Sequence, residues 1–324
     1  MNFEQTTNLE RIAERDADDL RLRPGKQDAR RVRHVENVGG PFFYGIDDLE
    51  PIVEHRSRYQ LIEILRSDVF GHVLRIDGAL QCSEADECFH HEPLVHMALA
   101  AAPSLDRVLV IGGGDGGACR QALKWPRLRH LDHVEIDADV LSICREHLGG
   151  VHGGVLDFID PRYHQHVQDG RRFLSEAPRS RYDALILDLT DPGGASSPLW
   201  TRAFFGACRH ALRPGGALTL HVAAPWLERG RCVSVLGALA CEFDRVWPYV
   251  VSVPVSGGPW TMALALDGAG DDLARPALES LESLRGDALK VLDDAGLEAL
   301  LNAPPYLVEA LGLPLRQTTG FERT

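Results

Sequence analysis

The segment from Val108 to Leu123, VLVIGGGDGGACRQAL, constrains the fold more than any other part of the chain. A short apolar run, rich in β-branched residues, enters five glycines interrupted by one aspartate, and a helix-forming stretch follows. A buried strand that turns through glycine into a helix opens a βαβ unit, and its glycines let the backbone approach a ligand closely. The pattern continues downstream. RVLVIG, HVEID, YDALILDL, ALTLHVA and RVWPYVVSV are apolar runs separated by helical stretches such as ADVLSICREHL and RAFFGACRHAL. The alternation predicts an α/β fold, a Rossmann-like doubly wound parallel sheet whose ligands sit beyond the carboxyl ends of the strands.

Three regions are expected along the 324 residues. Residues 1–38 are polar and weakly periodic and read as a mobile N-terminal arm. Residues 39–84 form a small antiparallel β domain, because Ile52 to Gln81 alternates in polarity and breaks at Asp68–Gly71 and Asp77–Gly78. Residues 85–324 hold the Rossmann-like catalytic domain, entered by a helix from Glu84 to Ala101 and ending in a helical tail that includes PALESLESL and LEALLNAPPYLVEAL.

No apolar run reaches the 18 residues of a membrane span, and the N-terminus is acidic where a signal peptide would be basic and then apolar, so a cytoplasmic protein is expected. The seven cysteines are scattered without a C-x-x-C, which suggests neither disulfides nor zinc. A formal charge of −13 disfavours nucleic acid and anionic membranes as partners and favours cationic substrates.

Gly112, Gly114 and Gly117 satisfy G-x-G-x-x-G, and Glu135 at the end of HVEID is placed to chelate ribose hydroxyls. That pattern serves dinucleotides and sulfonium nucleosides alike. Asp115 distinguishes them, since a carboxylate in the cradle repels a pyrophosphate and pairs with an ammonium; as a bare helix cap it would carry no such meaning. Asp169 and Gly170 in HVQDGRRF stand where an adenine amino group could be bonded, or form only a turn. YDALILDLTDPGG ends a buried strand in Asp188, a carboxylate that needs a partner, and turns through Asp191. The run His90-His91-Glu92 with His96 invites a metal, yet H-E-x-x-H would need histidine at Val95, so no metal is expected.

Taken in order, HRSRYQ, RIDGALQCSEADE leading to HHE, VLVIGGGDGG, HVEID, QDG, DLTDPGG and LRPGG resemble the polyamine aminopropyltransferase (spermidine/spermine synthase) family, over about two thirds of the chain. The resemblance implies transfer of a 3-aminopropyl group from decarboxylated S-adenosylmethionine, a co-substrate with no tightly bound cofactor beside it, to a polyamine acceptor. Methylthioadenosine is the co-product, and the enzyme is expected to be a homodimer or homotetramer. It further implies that Gln60, Gly112, Gly114, Asp115, Glu135, Asp169 and Gly170 bind the donor, that Asp188 is the catalytic base, and that His91, Asp115, Asp188 and Asp191 bind substrate, Asp115 through the ammonium of the aminopropyl group and His91 and Asp191 through the acceptor polyamine. On this view desolvation must bring the basicity of Asp188 toward that of the amine.

The acceptor half departs from the family. His90 stands where a tyrosine is usual and Ala223 where glutamate is frequent, while the VP…W pattern from Val253 to Trp260 and the tail LNAPPYLVEALGL are similar to the thermospermine and long-chain polyamine synthases. Putrescine and longer amines such as spermidine are both open as acceptors. The competing functions are an S-adenosylmethionine-dependent methyltransferase, a catalytically silent polyamine-binding homologue, and a nicotinamide dehydrogenase.

Overall fold

The computed structural model describes residues 31–39, 42–268, 284 and 289–301. Five strands, β1 (Val32–Gly39), β2 (Phe42–Arg56), β3 (Leu61–Ser67), β4 (Gly71–Ile76) and β5 (Ala79–Ser83), form an antiparallel sheet in sequence order. The arm expected over 1–38 is therefore corrected at its end, where β1 pairs with β2 and Glu36 stands opposite Tyr44. Its polarity is inverted, which hid it: His34 faces inward while Val35 is 60% exposed. Residues 1–30 and the tail beyond 301 lie outside the described residues, as does most of PALESLESL.

The second sheet contains β6 (Arg107–Gly112), β7 (His130–Glu135), β8 (Tyr163–Val167), β9 (Tyr182–Asp188), β10 (Leu212–Ala223), β11 (Arg245–Val253) and β12 (Gly258–Leu266), in the order β11-β12-β10-β9-β6-β7-β8. Pairing from β10 through β8 is parallel, as the alternation predicts. The other edge differs, because β12 inserts antiparallel between β10 and β11. A short turn over Pro254–Ser256 folds β11 straight back into β12, so no crossover helix intervenes.

Successive residues of β6 and β9 point to opposite faces. Val108, Val110, Ala184 and Ile186 enter one apolar core and Leu109, Ile111, Leu185 and Leu187 the other. Each such leucine contributes about 2–3 kcal/mol by leaving water, which is why these strands lack polar alternation. The helices between strands are α1 (Glu87–Ala101), α2 (Gly117–Leu123), α3 (Ala138–His147), the single turn α4 (Gly149–His152), α5 (Gly170–Glu176), α6 (Arg202–Ala211) and α7 (Arg229–Ala240); α8 (Asp294–Leu301) follows β12.

Helix α1 positions the histidines. Pro93 inside it removes one backbone donor, and two hydroxyls dock on neighbouring carbonyls: Tyr249 donates to Pro93 O at 3.1 Å and Thr219 to Leu94 O at 2.6 Å. Glu92, the third residue of the HHE run, accepts the backbone N–H groups of Lys290, Val291 and Leu292 at 2.9, 2.8 and 3.2 Å. Its work is to hold the segment before α8. Asp86 accepts the Val255 N–H at 2.6 Å and so ties the β11–β12 turn to the start of α1.

Candidate active site

A cleft opens at the carboxyl ends of β6, β7 and β9, and every residue the sequence singled out for the site lines it, apart from Gly117, whose amide holds Asp115 in place. Strand β6 ends at Gly112, with φ at +80° and no room for a side chain: a Cβ there would stand 2.1 Å from the Asp188 carbonyl oxygen. The Gly113 N–H donates to that same carbonyl at 2.7 Å. The glycine turn is thus stitched to the end of β9, which sets the Asp188 side chain on the cleft floor.

Asp115 is buried with one oxygen fixed by the Gly117 N–H at 2.7 Å and the other near the Cys82 thiol at 3.7 Å. It steadies the start of α2 and lines the cleft at once. Burial raises its pKa, with His91 opposing and Asp188 adding to the rise. Glu135 ends β7, accepts the Asp137 N–H at 2.9 Å, and is pushed up to about 7 by burial. The Gln60 amide donates to Asp137 at 3.0 Å, and Asp137 in turn caps α3. Asp169 caps α5 through the Arg171 N–H at 2.8 Å and pairs with the Arg171 guanidinium at 3.0 Å, so the turn role and the cleft position coincide there.

Beneath the floor runs a chain of alternating charge. Arg120 donates to Glu87 at 2.5 Å, Glu87 lies 3.0 Å from His91 Nδ1, and His91 Nε2 stands 3.4 Å from Asp115 and 3.6 Å from Asp188. Burial alone would lower the His91 pKa, but Asp115, Glu87 and Asp188 together carry it up to about 9. At neutral pH one buried imidazolium therefore serves both cleft carboxylates. Only 1% exposed, His91 lies under the position expected for an acceptor rather than beside it. A Cβ on Gly117 would fall 2.2 Å from its ring, so that glycine is a packing requirement.

Asp188 departs from expectation. Burial would raise its pKa, yet the hydrogen bond from His90 and the nearby His91 and His221 hold it well below the usual carboxylate range. His90 Nε2 lies 3.0 Å from Oδ1, while Oδ2 is buried without a hydrogen-bond partner. Desolvation is outweighed because imidazoles gather around the carboxylate, and Asp188 stays ionised.

At the far end, Asp191 faces His221 Nε2 at 3.6 Å and Arg231 Nη1 at 3.4 Å, and these neighbours lower its pKa against burial. The His221 ring stands edge-on to Trp200 and Trp260, with centroids 5.4 and 6.3 Å apart. Sequence reasoning assigned no role to His221, Trp200, Trp260 or Arg231. His221 was legible in principle, since it interrupts the apolar run ALTLHVA near the carboxyl end of a strand, the situation of Glu135 and Asp188.

Two family models match the chain. One, described as the spermine/spermidine synthase domain, covers residues 87–268, and the other, the spermidine synthase tetramerisation domain, covers 52–84. The chain is 38% identical over 283 residues to a polyamine aminopropyltransferase of Nitrosomonas europaea, spanning 86% of each protein. It is 37% identical over 229 residues to spermidine synthase 1 of Hyoscyamus niger, spanning 69% of this chain and 71% of that one. Among solved structures it superposes on a spermidine synthase in complex with the transition-state analogue AdoDATO, with TM-score 0.80, 26% identity, and 87% and 95% of the two chains covered. The Thermotoga maritima spermidine synthase gives TM-score 0.79 at 25% identity, covering 87% and 94%.

Proposed function

The chain belongs to the spermine/spermidine synthase family, and from that premise we propose how its cleft carries out aminopropyl transfer. The enzyme moves a 3-aminopropyl group from decarboxylated S-adenosylmethionine to an amine and releases 5′-methylthioadenosine. The donor is a co-substrate consumed in each turnover, so no tightly bound cofactor is required. One observation carries the assignment of roles: a glycine cradle that holds the buried carboxylate of Asp115 close to that of Asp188. A cationic ligand satisfies both, and a pyrophosphate neither.

In this arrangement Glu135 takes the ribose hydroxyls, with Gln60 and Asp169–Gly170 bordering the nucleoside, and Asp115 takes the ammonium of the aminopropyl group. Asp188 accepts a hydrogen bond from the attacking amine and aims its lone pair at the carbon bound to sulfur. The amine attacks, the C–N bond forms, the C–S bond breaks, and its electron pair leaves on sulfur as a neutral thioether. The acceptor ammonium must first give up a proton, which Asp188 takes and passes to solvent, and the same carboxylate then keeps the neutral amine oriented for attack. Asp191 borders the acceptor end with the acceptor's other polar group in its reach, and His91 fixes Asp188 from below.

The tetramerisation-domain match supports a homo-oligomer, a dimer or tetramer, and the polyamine chemistry fits a cytoplasmic enzyme. No helix among the described residues is long and apolar enough to cross a membrane. Methylthioadenosine release from decarboxylated S-adenosylmethionine, with putrescine, cadaverine, agmatine and spermidine in parallel and the product identified by mass, tests the function. Turnover with one amine names the acceptor, whereas silence with all of them, despite methylthioadenosine binding, leaves a polyamine-binding homologue without catalysis.

A further inference from the structure

Asp191 borders the acceptor end of the cleft, and its side chain is 38% exposed, so a cation can reach it. Its Oδ1, however, is buried without a hydrogen bond and lies 3.4 Å from Arg231 Nη1, which is also buried without one. The two meet as charges, not as donor and acceptor. Arg231 stands outside the cleft lining, in the first turn of α7, where the helix dipole disfavours a cation. Its Nη2 pairs with Glu228 Oε1 at 2.6 Å.

Arg231 is not needed to place the carboxylate. The Ser196 hydroxyl, 2.9 Å from the Thr190 carbonyl and 3.1 Å from the Asp191 carbonyl, braces that loop through its backbone. What the guanidinium adds is permanent charge: of the two groups beside Oδ1, His221 is charged only when protonated, whereas arginine keeps its proton at every working pH. An ammonium held on Asp191 at about 3 Å lies within about 8 Å of that charge, inside a Debye length at physiological salt. Repulsion between two unit charges at that separation weakens binding by about tenfold, at a dielectric between those of protein surface and water. Loss of the guanidinium would also uncover Glu228, so both changes favour a cation in the cleft.

We propose that Arg231 determines acceptor specificity: from behind Asp191 it offsets the charge of the carboxylate, so the cleft takes amines with a neutral polar group at the far end almost as readily as diamines. The acceptor class then widens from polyamines to primary amines that carry any hydrogen-bonding group at that end. The inference rests on the placement of the acceptor against Asp191 in aminopropyl transfer.

Calorimetric titration of the enzyme carrying methylthioadenosine, near neutral pH and at physiological salt, compares putrescine and spermidine with 4-amino-1-butanol, which ends in a hydroxyl. Arg231→Met fills similar space without the charge, and it is expected to tighten the better-bound polyamine about tenfold and the amino alcohol less than about threefold. Arg231→Lys keeps the charge and should stay within about threefold of wild type. Equal tightening of both ligands, polyamine binding by the methionine variant that is weaker than or within about twofold of wild type, a lysine variant that behaves like methionine, or no amine binding by any of the proteins would overturn the assignment. Methylthioadenosine affinity within a few fold of wild type shows that each variant is folded. If Arg231→Met loses it, Arg231→Gln gives the same comparison, and loss in both makes Arg231 structural and the inference wrong. These titrations need no turnover, so they fail separately from the functional reading: silence in methylthioadenosine release removes aminopropyl transfer and leaves the charge effect on amine binding to be judged on its own. In an active enzyme the change appears as a lower acceptor KM and not as a rise in kcat.

Discussion

His90 Nε2 lies 3.0 Å from Asp188 Oδ1, although 98 residues separate the two in the chain. The contact spends one carboxylate oxygen on the protein, while the other, Oδ2, is buried without a hydrogen bond, 3.6 Å from His91 Nε2. In the proposed mechanism Asp188, held by these two histidines, receives the attacking nitrogen.

Asp188→Asn is therefore expected to leave methylthioadenosine affinity within a few fold of wild type while cutting single-turnover rate by roughly 10²–10⁴. Calorimetric titration and rapid quench measure the two separately. Parallel loss of both would make Asp188 a structural prop of the glycine turn.

The buried imidazolium of His91 makes stability depend on pH. Its folded pKa of about 9 exceeds the ordinary value, so the stability it supplies is fully present below about pH 6.5 and is lost as pH rises through 9. His91→Gln leaves Glu87, Asp115 and Asp188 without their shared cation and should cost about 3 kcal/mol at pH 7. Denaturant unfolding at pH 6.5 and 9.5 checks this: the gap between wild type and variant should narrow sharply at the higher pH, and a constant gap refutes it.

Most of the sheet was legible because burial on both faces leaves continuous apolar runs, and the cleft positions of Gly112, Gly114, Asp115 and Glu135 were legible because they close such a run or sit in the turn after it, whereas Gln60 came only from the family resemblance. What escaped depended on pairing between distant segments. Strand β1 carries its polar residues inward, where Glu36 accepts the Leu80 N–H at 3.0 Å, so its pattern reads as surface. The β12 insertion depends on a tight turn rather than on periodicity. The lowered pKa of Asp188 comes from imidazoles on α1 and β10, which a local reading of DLTDP cannot bring together. Asp169 was legible only as a position, since its pairing with Arg171 answers to the geometry of α5.

Glu135 trades stability for binding. Burial raises its pKa to about 7, and a raised carboxylate contributes stability below about pH 4.5 that is lost as pH rises through 7. Glu135→Gln should make the ligand-free protein about 1–3 kcal/mol more stable at pH 8 and abolish high-affinity methylthioadenosine binding. Wild-type binding should weaken as pH falls from 7 to 5.5, and a flat profile speaks against ribose chelation by an ionised Glu135.

Gly112→Ala tests the stitch between the glycine turn and β9. The new Cβ would meet the Asp188 carbonyl at a φ that alanine disfavours, at a cost of about 3 kcal/mol. Thermal unfolding should show a matching drop in midpoint; an unchanged midpoint means that the turn relaxes freely.

The charged cradle makes the most direct demand on the ligand. S-adenosylmethionine differs from the decarboxylated donor by a carboxylate next to the ammonium, and a like-charge contact with Asp115 near 4 Å costs roughly 4 kcal/mol at an effective dielectric of 20. Calorimetric Kd values for the two sulfonium compounds, measured on wild type and Asp115→Asn, read this out. The account predicts that wild type binds the decarboxylated compound about a thousandfold more tightly and that Asp115→Asn reduces the preference to a few fold. Equal or tighter binding of S-adenosylmethionine by wild type would contradict it and point to methyl transfer.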